Sequence, residues 1–297
     1  MNEIKKTAMI TIAGRPNVGK STLTNALVGE KIAIVSSKPQ TTRTRISGVA
    51  NRGDTQFVLL DTPGFHRPRT RLGDYMVKVV EESVADVDVI ALVVEPIANV
   101  GEQERILIEK IKATKAPAVL VINKIDTVEK QTLLEVIAAY SSAHEFDAIV
   151  PVSARKGQGL EELLEELERF AVDGPQLFPD DMITDQPERQ ICAEMIREKL
   201  LLCLDKEIPH GTAVEITKFS RRDDDIIDIE ATIICEKDSH KGIIIGKKGA
   251  MLKKIGELAR KDIEQFMGDK VYLQTWVKVK ENWRDNQAQL QNFGYTE

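Results

Sequence analysis

The chain has 297 residues, of which 42% are hydrophobic and 30% charged, and its formal net charge is −6. This length allows two domains of ordinary size, and the composition excludes a disordered or fibrous protein. No stretch approaches the ~20 apolar residues of a membrane span, and the apolar run near the N-terminus is too short for a signal peptide. Three cysteines without metal-type spacing (Cys192, Cys203 and Cys235) predict reduced, mostly buried thiols.

Apolar runs of strand length recur through the first half, separated by helix-length amphipathic segments. They are Met9–Ala13, Phe57–Leu60, Val89–Val94, Ala118–Ile122 and Ile149–Val152. Each run is nearly continuous, as expected for strands that are buried on both faces of a parallel sheet. The alternation predicts a doubly wound, mostly parallel α/β domain over residues 1–172, whose last helix is Leu160–Ala171. Ligands of such sheets bind at the carboxyl ends of the strands.

A phosphate-binding loop follows the first run. It reads Gly14, Arg15, Pro16, Asn17, Val18, Gly19, Lys20 and Ser21, with Thr22 next in the predicted helix. This P-loop matches GxxxxGKS between a strand and a helix, the context that the motif requires. Its amides and the helix N-terminus favour phosphate. We expect Lys20 to reach the β- and γ-phosphates of a nucleotide and Ser21 to bind Mg²⁺.

The next buried run ends in Asp61, Thr62, Pro63 and Gly64, here called the DTPG segment. Asp61 is where an acid would contact Mg²⁺ through water, and the Gly64 amide suits a γ-phosphate. Residues 38–45, KPQTTRTR, lie between the P-loop and this segment. We expect Thr42, with Thr41 as second choice, to complete the Mg²⁺ shell when the γ-phosphate is present. The alternative is a solvated polar loop.

The NKID segment, residues 123–126, follows the run Ala118–Ile122. The Asp126 carboxylate can accept from both guanine donors, N1–H and the 2-amino group. Adenine lacks both and would leave a buried acceptor unpaired, at a cost of roughly 1–3 kcal/mol. Asn123 and Lys124 belong to the same motif, and Ser153 and Ala154 follow the next run, where the Ala154 amide can contact the base. These segments favour GTP over ATP.

The residue after the DTPG segment is Phe65, where Ras-type enzymes place a glutamine that orients the attacking water. A phenyl ring cannot orient water by hydrogen bonding. Intrinsic hydrolysis should therefore be slow, or another group must supply the chemistry. His66 is adjacent, but a lone histidine in a loop is more often solvated than catalytic.

The composition changes at residue 173. Residues 173–187, which contain three prolines, are predicted to be a linker. Beyond it a helix from about Glu188 to Leu204, two strands, a glycine-marked segment leading into a helix, and the strand Val271–Val279 give the order α-β-β-α-α-β. We predict a smaller α+β domain over residues 188–297.

Residues 237–261 carry eight basic and two acidic side chains, a local net charge of +6 in an acidic chain. At their centre is the GKKG loop, Gly246, Lys247, Lys248 and Gly249, followed by Lys253 and Lys254. A GxxG turn between helices lets a nucleic-acid backbone approach closely, as in a KH domain. The alternative is a glycine-rich helix junction with a solvated basic face. Trp276 is predicted to lie in the core, and Trp283 either stacks on a base or caps the core.

The order GRPNVGKST, PQTTR, DTPGF, NKID, SA and IIGKKG, with WVKVKENW near the C-terminus, resembles the Era family of bacterial GTPases over the whole chain. The resemblance implies a type-2 KH domain, binding to the 3′ end of small-subunit ribosomal RNA, and a role in small-subunit assembly. It further implies a cytoplasmic protein, peripherally associated with the cell membrane, and a K⁺ ion held beside the phosphates by Asn17. We expect a monomer. Arg155, where Lys or Glu is usual, departs from the pattern.

Three functions compete. The first is a switch whose GTP hydrolysis controls RNA engagement. The second is an RNA-binding module that senses guanine nucleotide with negligible turnover, which Phe65 would permit. A membrane-transport regulator with the same nucleotide domain is disfavoured because the sequence has no spanning segment.

Overall fold

The computed structural model describes residues 4–65, 68–85 and 87–295. It divides into two compact units, of which the first contains Met1–Ala33, Thr42–Arg67 and Met76–Asp185 and the second contains Ile34–Thr41, Pro68–Tyr75 and Gln186–Glu297. No helix in the described residues combines the length and apolar character that a membrane span requires. His66, the histidine considered as a base, lies outside the described residues.

One sheet organises the first unit. Its strands are β1 (Lys6–Ala13), β2 (Ile46–Arg52), β3 (Thr55–Asp61), β4 (Val89–Val94), β5 (Ala118–Ile122), β6 (Ala148–Pro151) and β7 (Val172–Asp173). Their order is β2-β3-β1-β4-β5-β6, with β7 pairing antiparallel to the start of β1. β1, β3, β4, β5 and β6 are parallel, and β2 runs antiparallel to β3 at the edge.

Helices cover both faces of this sheet. They are α1 (Lys20–Val28), α2 (Arg71–Ser83, which begins in the second unit), α3 (Glu102–Thr114), α4 (Lys130–Ala143) and α5 (Leu160–Glu168), with a 3₁₀ turn at Ile125–Thr127. Alternate residues of each central strand enter different cores. Val89 and Ala91 of β4 pack with residues of α1 and α5, whereas Ile90 and Leu92 pack with residues of α3 and α4. The predicted doubly wound α/β fold is confirmed.

The segment predicted as a linker lies along the edge strand β2. The Val49 amide donates to the Ile183 carbonyl at 2.8 Å, and Gly48 forms a β-bridge with Thr184. Gln56 in β3 binds the same segment, because its side-chain carbonyl accepts from the Phe178 amide at 2.9 Å. The segment therefore has fixed backbone partners in the first unit.

The second unit has its own sheet and core. Its elements are α6 (Glu188–Cys203), a 3₁₀ turn at Pro209–Gly211, β8 (Ala213–Arg221), β9 (Ile227–Cys235), α7 (Asp238–Ile245), a 3₁₀ turn at Lys247–Gly249, α8 (Ala250–Met267), β10 (Val271–Val279), a 3₁₀ turn at Trp283–Asp285 and α9 (Gln287–Asn292). The strand order is β10-β9-β8, with β9 antiparallel to β8 and parallel to β10. The predicted α-β-β-α-α-β order is confirmed as far as β10, and the helix α9 that follows was not predicted. All three cysteines are free thiols, and only Cys203 is partly exposed.

The two tryptophans differ in their burial. Trp276 was predicted to lie in the core, and that prediction is wrong, since its side chain is 46% exposed. In β10 the core-facing residues are Val271, Leu273 and Val277, so Trp276 has the opposite phase. Trp283 is fully buried and its indole N–H donates to the Gly211 carbonyl at 3.0 Å, so it caps the core and cannot stack on a base.

Candidate nucleotide-binding and nucleic-acid-binding sites

The P-loop closes over the start of α1 through unusual backbone angles. Gly14, Asn17 and Gly19 have φ values of 154°, 66° and 97°, and positive φ values of this kind occur in the backbone concavities that bind anions. Lys20 is buried, and its Nζ donates to the carbonyls of Gly14 at 3.2 Å and Arg15 at 3.0 Å. Burial lowers the pKa of Lys20 to about 8, and the nearby Asp61 partly offsets this effect. A phosphate in the loop would favour the charged ammonium.

Oxygen atoms from three elements meet beside the P-loop. Ser21 Oγ lies 2.8 Å from Thr42 Oγ1 and donates to Asp61 Oδ2 at 2.6 Å. Burial raises the pKa of Asp61 to about 6, although Lys20 and hydrogen bonds from Ser21 and Thr42 act in the opposite direction. The structure therefore brings together the three residues that the sequence assigned to metal binding.

This cluster fits Mg²⁺. Asp61 Oδ1 is buried and has no hydrogen-bond partner among the described residues. A carboxylate and two hydroxyls are the oxygen ligands that Mg²⁺ takes beside nucleotide phosphates. Within the described part of the chain, no group of three or more His, Cys, Asp or Glu side chains could hold a metal by itself. Phosphate and water would therefore have to complete the shell.

The DTPG segment packs directly on the P-loop. The amide of Phe65 donates to the Gly14 carbonyl at 3.1 Å, and Thr62 Oγ1 donates to the Ile12 carbonyl at 2.8 Å. Phe65 is only 8% exposed and belongs to the core that includes α3 and α4. Its ring is therefore part of the hydrophobic core.

Close packing leaves no space for a side chain at Gly64. A methyl group there would lie 2.6 Å from Pro16 Cα and 2.8 Å from Pro16 Cγ, so the DTPG segment would have to move off the P-loop. We expect Gly64→Ala to slow GTP hydrolysis at least about tenfold, a change of ~1.4 kcal/mol in activation energy. Single-turnover hydrolysis measures this effect.

Gly174→Ala is the matched control, because a methyl group there makes only an ordinary contact with Thr7 Oγ1 at 3.4 Å. Both variants should bind GDP like the wild type, because the contact expected of Gly64 is with the γ-phosphate, which GDP lacks. Wild-type hydrolysis by Gly64→Ala would contradict the predicted role of this glycine.

The NKID segment is hydrogen-bonded to the P-loop. Asn123 Nδ2 donates to the Val18 carbonyl at 2.9 Å, and its Oδ1 accepts from the Ala154 amide at 3.0 Å. Lys124 Nζ donates to the Asn17 carbonyl at 2.6 Å. Ser153 Oγ donates to Asp126 Oδ1 at 2.6 Å, and this bond lowers the pKa of Asp126. The ionised form of Asp126 is therefore favoured, and only that form could accept from two donors of a guanine base.

Two acidic residues near the P-loop were not identified from the sequence. Glu95 accepts from Lys124 Nζ at 2.6 Å, and Arg15 forms ion pairs with Glu95 at 3.6 Å and with the buried Glu104. Glu95 directly follows β4, so its position at the carboxyl edge of the sheet could have revealed it. Glu104 lies in the first turn of α3, and nothing in the local sequence indicates its partner.

The GKKG loop is a single turn between α7 and α8. Gly246, Lys248 and Gly249 have positive φ values of 72°, 52° and 80°. A side chain at Gly246 would lie 2.7 Å from Met251 Cβ, so the turn requires a glycine there. Lys247, Lys248, Lys253 and Lys254 are exposed. Lys253 lies 3.9 Å from Glu257, whereas the other three have no ion pair among the described residues.

A groove of about 500 Å³ runs beside this loop between α8 and β10. Its lining includes Leu252, Gly256, Arg260, Leu273 and Thr275. Gly256 is unfavourable inside a helix by ~1 kcal/mol relative to alanine, but it keeps the groove open opposite Thr275. In the sequence, the signal for this groove is an isolated glycine within a helical pattern.

Known proteins resemble this chain in both of its halves. Residues 9–124 match the family model for 50S ribosome-binding GTPase, and residues 207–284 match the KH domain. GTPase Era from Ruminiclostridium cellulolyticum is 51% identical over 98% of this chain and 97% of its own length. This chain belongs to the Era family of GTPases. It is therefore a GTPase. A second relative, GTPase Era from Clostridioides difficile, is also 51% identical, over 98% of this chain and 99% of its own length.

Two solved Era structures are also similar. One is a variant of Aquifex aeolicus Era bound to GDP and AlF₄⁻, with 39% identity, a TM-score of 0.94 and coverage of 98% of this chain and 100% of its own. The other is Era in complex with MgGDPNP and nucleotides 1506–1542 of 16S ribosomal RNA, with 38% identity, a TM-score of 0.95 and coverage of 99% and 100%.

Proposed function

We propose that this protein is a GTP-hydrolysing switch that binds the 3′ end of small-subunit ribosomal RNA and acts in assembly of the small ribosomal subunit. The observation that carries the proposal is a pair of exposed lysines on a glycine turn, beside a groove, in a chain that also has a complete guanine-nucleotide site. The Era structure that contains MgGDPNP and a 16S RNA fragment supports the same combination.

In the nucleotide site, the amides of residues 14–22 and the ammonium of Lys20 hold the phosphates. Ser21 and Thr42 would hold Mg²⁺ together with Asp61, whose buried Oδ1 would then gain a partner. The Gly64 amide meets the γ-phosphate. Loss of that phosphate removes the contacts of Thr42 and Gly64 together, because both depend on it. Asp126 reads the guanine, while Asn123, Lys124, Ser153 and Ala154 hold the base loop in place.

Asn17 would make part of the catalytic contribution to GTP hydrolysis that the phenyl ring of Phe65 cannot make. Its backbone is held in a left-handed conformation at φ 66° by the Lys124 ammonium, and its side chain is exposed at the P-loop. A K⁺ ion held there would offset negative charge that develops between the β- and γ-phosphates. Family resemblance supports this ion, and the chain's own Asn17 is the residue that would bind it.

Replacing K⁺ by Na⁺ at equal ionic strength should slow hydrolysis about tenfold or more, because a smaller ion fits the same oxygens poorly. Asn17→Ala should be slow in both salts. Single-turnover assays measure the rates, with GDP affinity as the control for an intact P-loop. Equal rates in K⁺ and Na⁺ for both proteins would refute the role of the ion.

In the nucleic-acid site, Lys247 and Lys248 meet phosphates where the glycines permit close approach. Unstacked bases would lie in the groove over Leu252, Gly256 and Leu273, with Lys253 and Lys254 alongside. A labelled single-stranded RNA with the 3′-terminal sequence of small-subunit ribosomal RNA tests this directly. Binding that is tighter with GDPNP than with GDP, and absent for a scrambled RNA, is expected. Equal affinity for both RNAs would overturn the proposed target.

Family membership also supports a monomer in the cytoplasm that associates peripherally with the cell membrane. We propose the same features for this protein.

A further inference from the structure

A buried arginine lies in the second unit, far in sequence from the nucleotide motifs. The side chain of Arg197, in α6, is completely buried, although an arginine cannot lose its charge in a protein. It pairs with Glu194 on the same helix, and it donates to the carbonyls of Gln40, at 3.4 Å, and Thr41. Its charge is thus compensated partly by the backbone of residues 34–41.

Segment 34–41 is held at both ends by side chains of α6. The Val35 amide donates to Glu198 Oε1 at 2.9 Å, and Arg197 binds the other end. Gln40, at the end that Arg197 binds, has a φ of 58°, which is uncommon for a residue other than glycine. Such a conformation persists only where the surroundings impose it, and the bonds from Arg197 to the carbonyls of Gln40 and Thr41 provide that constraint.

The Thr41 carbonyl belongs to the peptide plane that leads into Thr42. Because the peptide group is planar and rigid, holding its oxygen in place also constrains the amide nitrogen and Cα of Thr42. Thr42 Oγ1 lies 2.8 Å from Ser21 Oγ, in the oxygen cluster with Asp61. A displaced Thr41 peptide would therefore move the hydroxyl out of the cluster.

We propose that Arg197 is a positioning residue for GTP hydrolysis, which holds the Thr41–Thr42 peptide so that the Thr42 hydroxyl reaches Mg²⁺. The proposal rests on the role of Thr42 proposed above. GDP binding does not use the γ-phosphate-dependent contact of Thr42, so Arg197 should affect hydrolysis and its Mg²⁺ requirement but not affinity for GDP.

The test compares Arg197→Met, Thr42→Ala and the double variant in the full chain. Single-turnover hydrolysis is measured against Mg²⁺ concentration, together with GDP affinity and thermal unfolding. Arg189→Met is the matched control, because Arg189 lies in the same helix and also donates to a carbonyl, that of Ile216 in β8. We expect Arg197→Met to slow hydrolysis about tenfold or more and to raise the Mg²⁺ requirement. Arg189→Met should behave like the wild type.

The double variant should be no slower than Thr42→Ala, because both changes remove the same interaction. Arg197→Lys retains the charge but cannot bridge two carbonyls as a planar fork does, so an intermediate rate is expected. If Arg197→Met fails to fold, the hydrolysis rate of Arg197→Lys tests the proposal in its place. The proposal would be overturned if the losses in hydrolysis rate caused by the two single changes multiplied in the double variant. It would also be overturned if Arg197→Lys and Arg197→Met hydrolysed GTP at the wild-type rate while Thr42→Ala was slow. Wild-type hydrolysis by Thr42→Ala would instead overturn the proposed role of Thr42 and the proposal that rests on it.

Discussion

Asp126→Asn should convert this GTPase into a protein that prefers xanthosine triphosphate. In guanine, N1–H and the 2-amino group are both donors, which two carboxylate oxygens can accept. An asparagine keeps one acceptor and presents one donor, which faces a donor of guanine but pairs with the 2-carbonyl of xanthine. Two charge-assisted bonds contribute roughly 1.5–3 kcal/mol each, so the GTP affinity should fall about 100-fold or more.

Competition between GTP and XTP for a fluorescent nucleotide measures this preference. Ser153→Ala is the informative comparison, since it removes the 2.6 Å bond from Ser153 Oγ to Asp126 without changing the carboxylate. That variant should bind GTP more weakly and gain nothing for XTP. If Asp126→Asn kept the wild-type preference for GTP, Asp126 would not be the residue that reads the base.

Reversing the charge of Lys247 and Lys248 together should greatly weaken RNA binding and leave GTP binding intact. Both side chains are exposed on the turn at which an RNA backbone would approach most closely, so aspartates would place negative charge against phosphate. We expect an affinity loss of at least about 100-fold at moderate salt, and a log–log salt slope that is shallower by about 1.4 for two lost phosphate contacts.

The double change Lys206→Asp and Lys270→Asp is the control. Both lysines are exposed residues of the second unit outside the GKKG loop, and the variant has the same net charge as the first. Titration of labelled RNA with each protein separates a local effect from a general one. Equal losses in the two variants would mean that overall charge, rather than the GKKG loop, governs binding.

The sequence was most informative where a motif determines its own local geometry. The P-loop and the GKKG loop both combine glycines at positive φ with the start of a helix, and each lies where the motif predicted. The strands β4 and β5 have the predicted bounds because their continuous apolar runs leave little choice. The strand β2 was missed because Ile46–Arg52 contains Gly48 and polar residues and gives only a weak pattern.

Long-range partners could not be obtained in the same way. Arg197 binds the Thr41 carbonyl across 156 positions of sequence, and no local spacing indicates that contact. Trp276 shows a second limit of prediction from sequence. Its apolar neighbours suggested that it is buried, but its position in the alternation of β10 places its side chain on the exposed face. The proposed residue roles and the predicted limits of 1–172, 173–187 and 188–297 remain predictions, and the variants above test the roles.

The residues that cover β2 also bear on aggregation. An edge strand with unpaired amides and carbonyls can recruit a strand from another molecule. In this protein Thr184 forms a bridge with Gly48, and the Ile183 carbonyl accepts from the Val49 amide, so part of that edge is already occupied. A stretch of chain whose composition is typical of a flexible tether thus shields the sheet from self-association, and shortening it would uncover a surface on which two copies could pair.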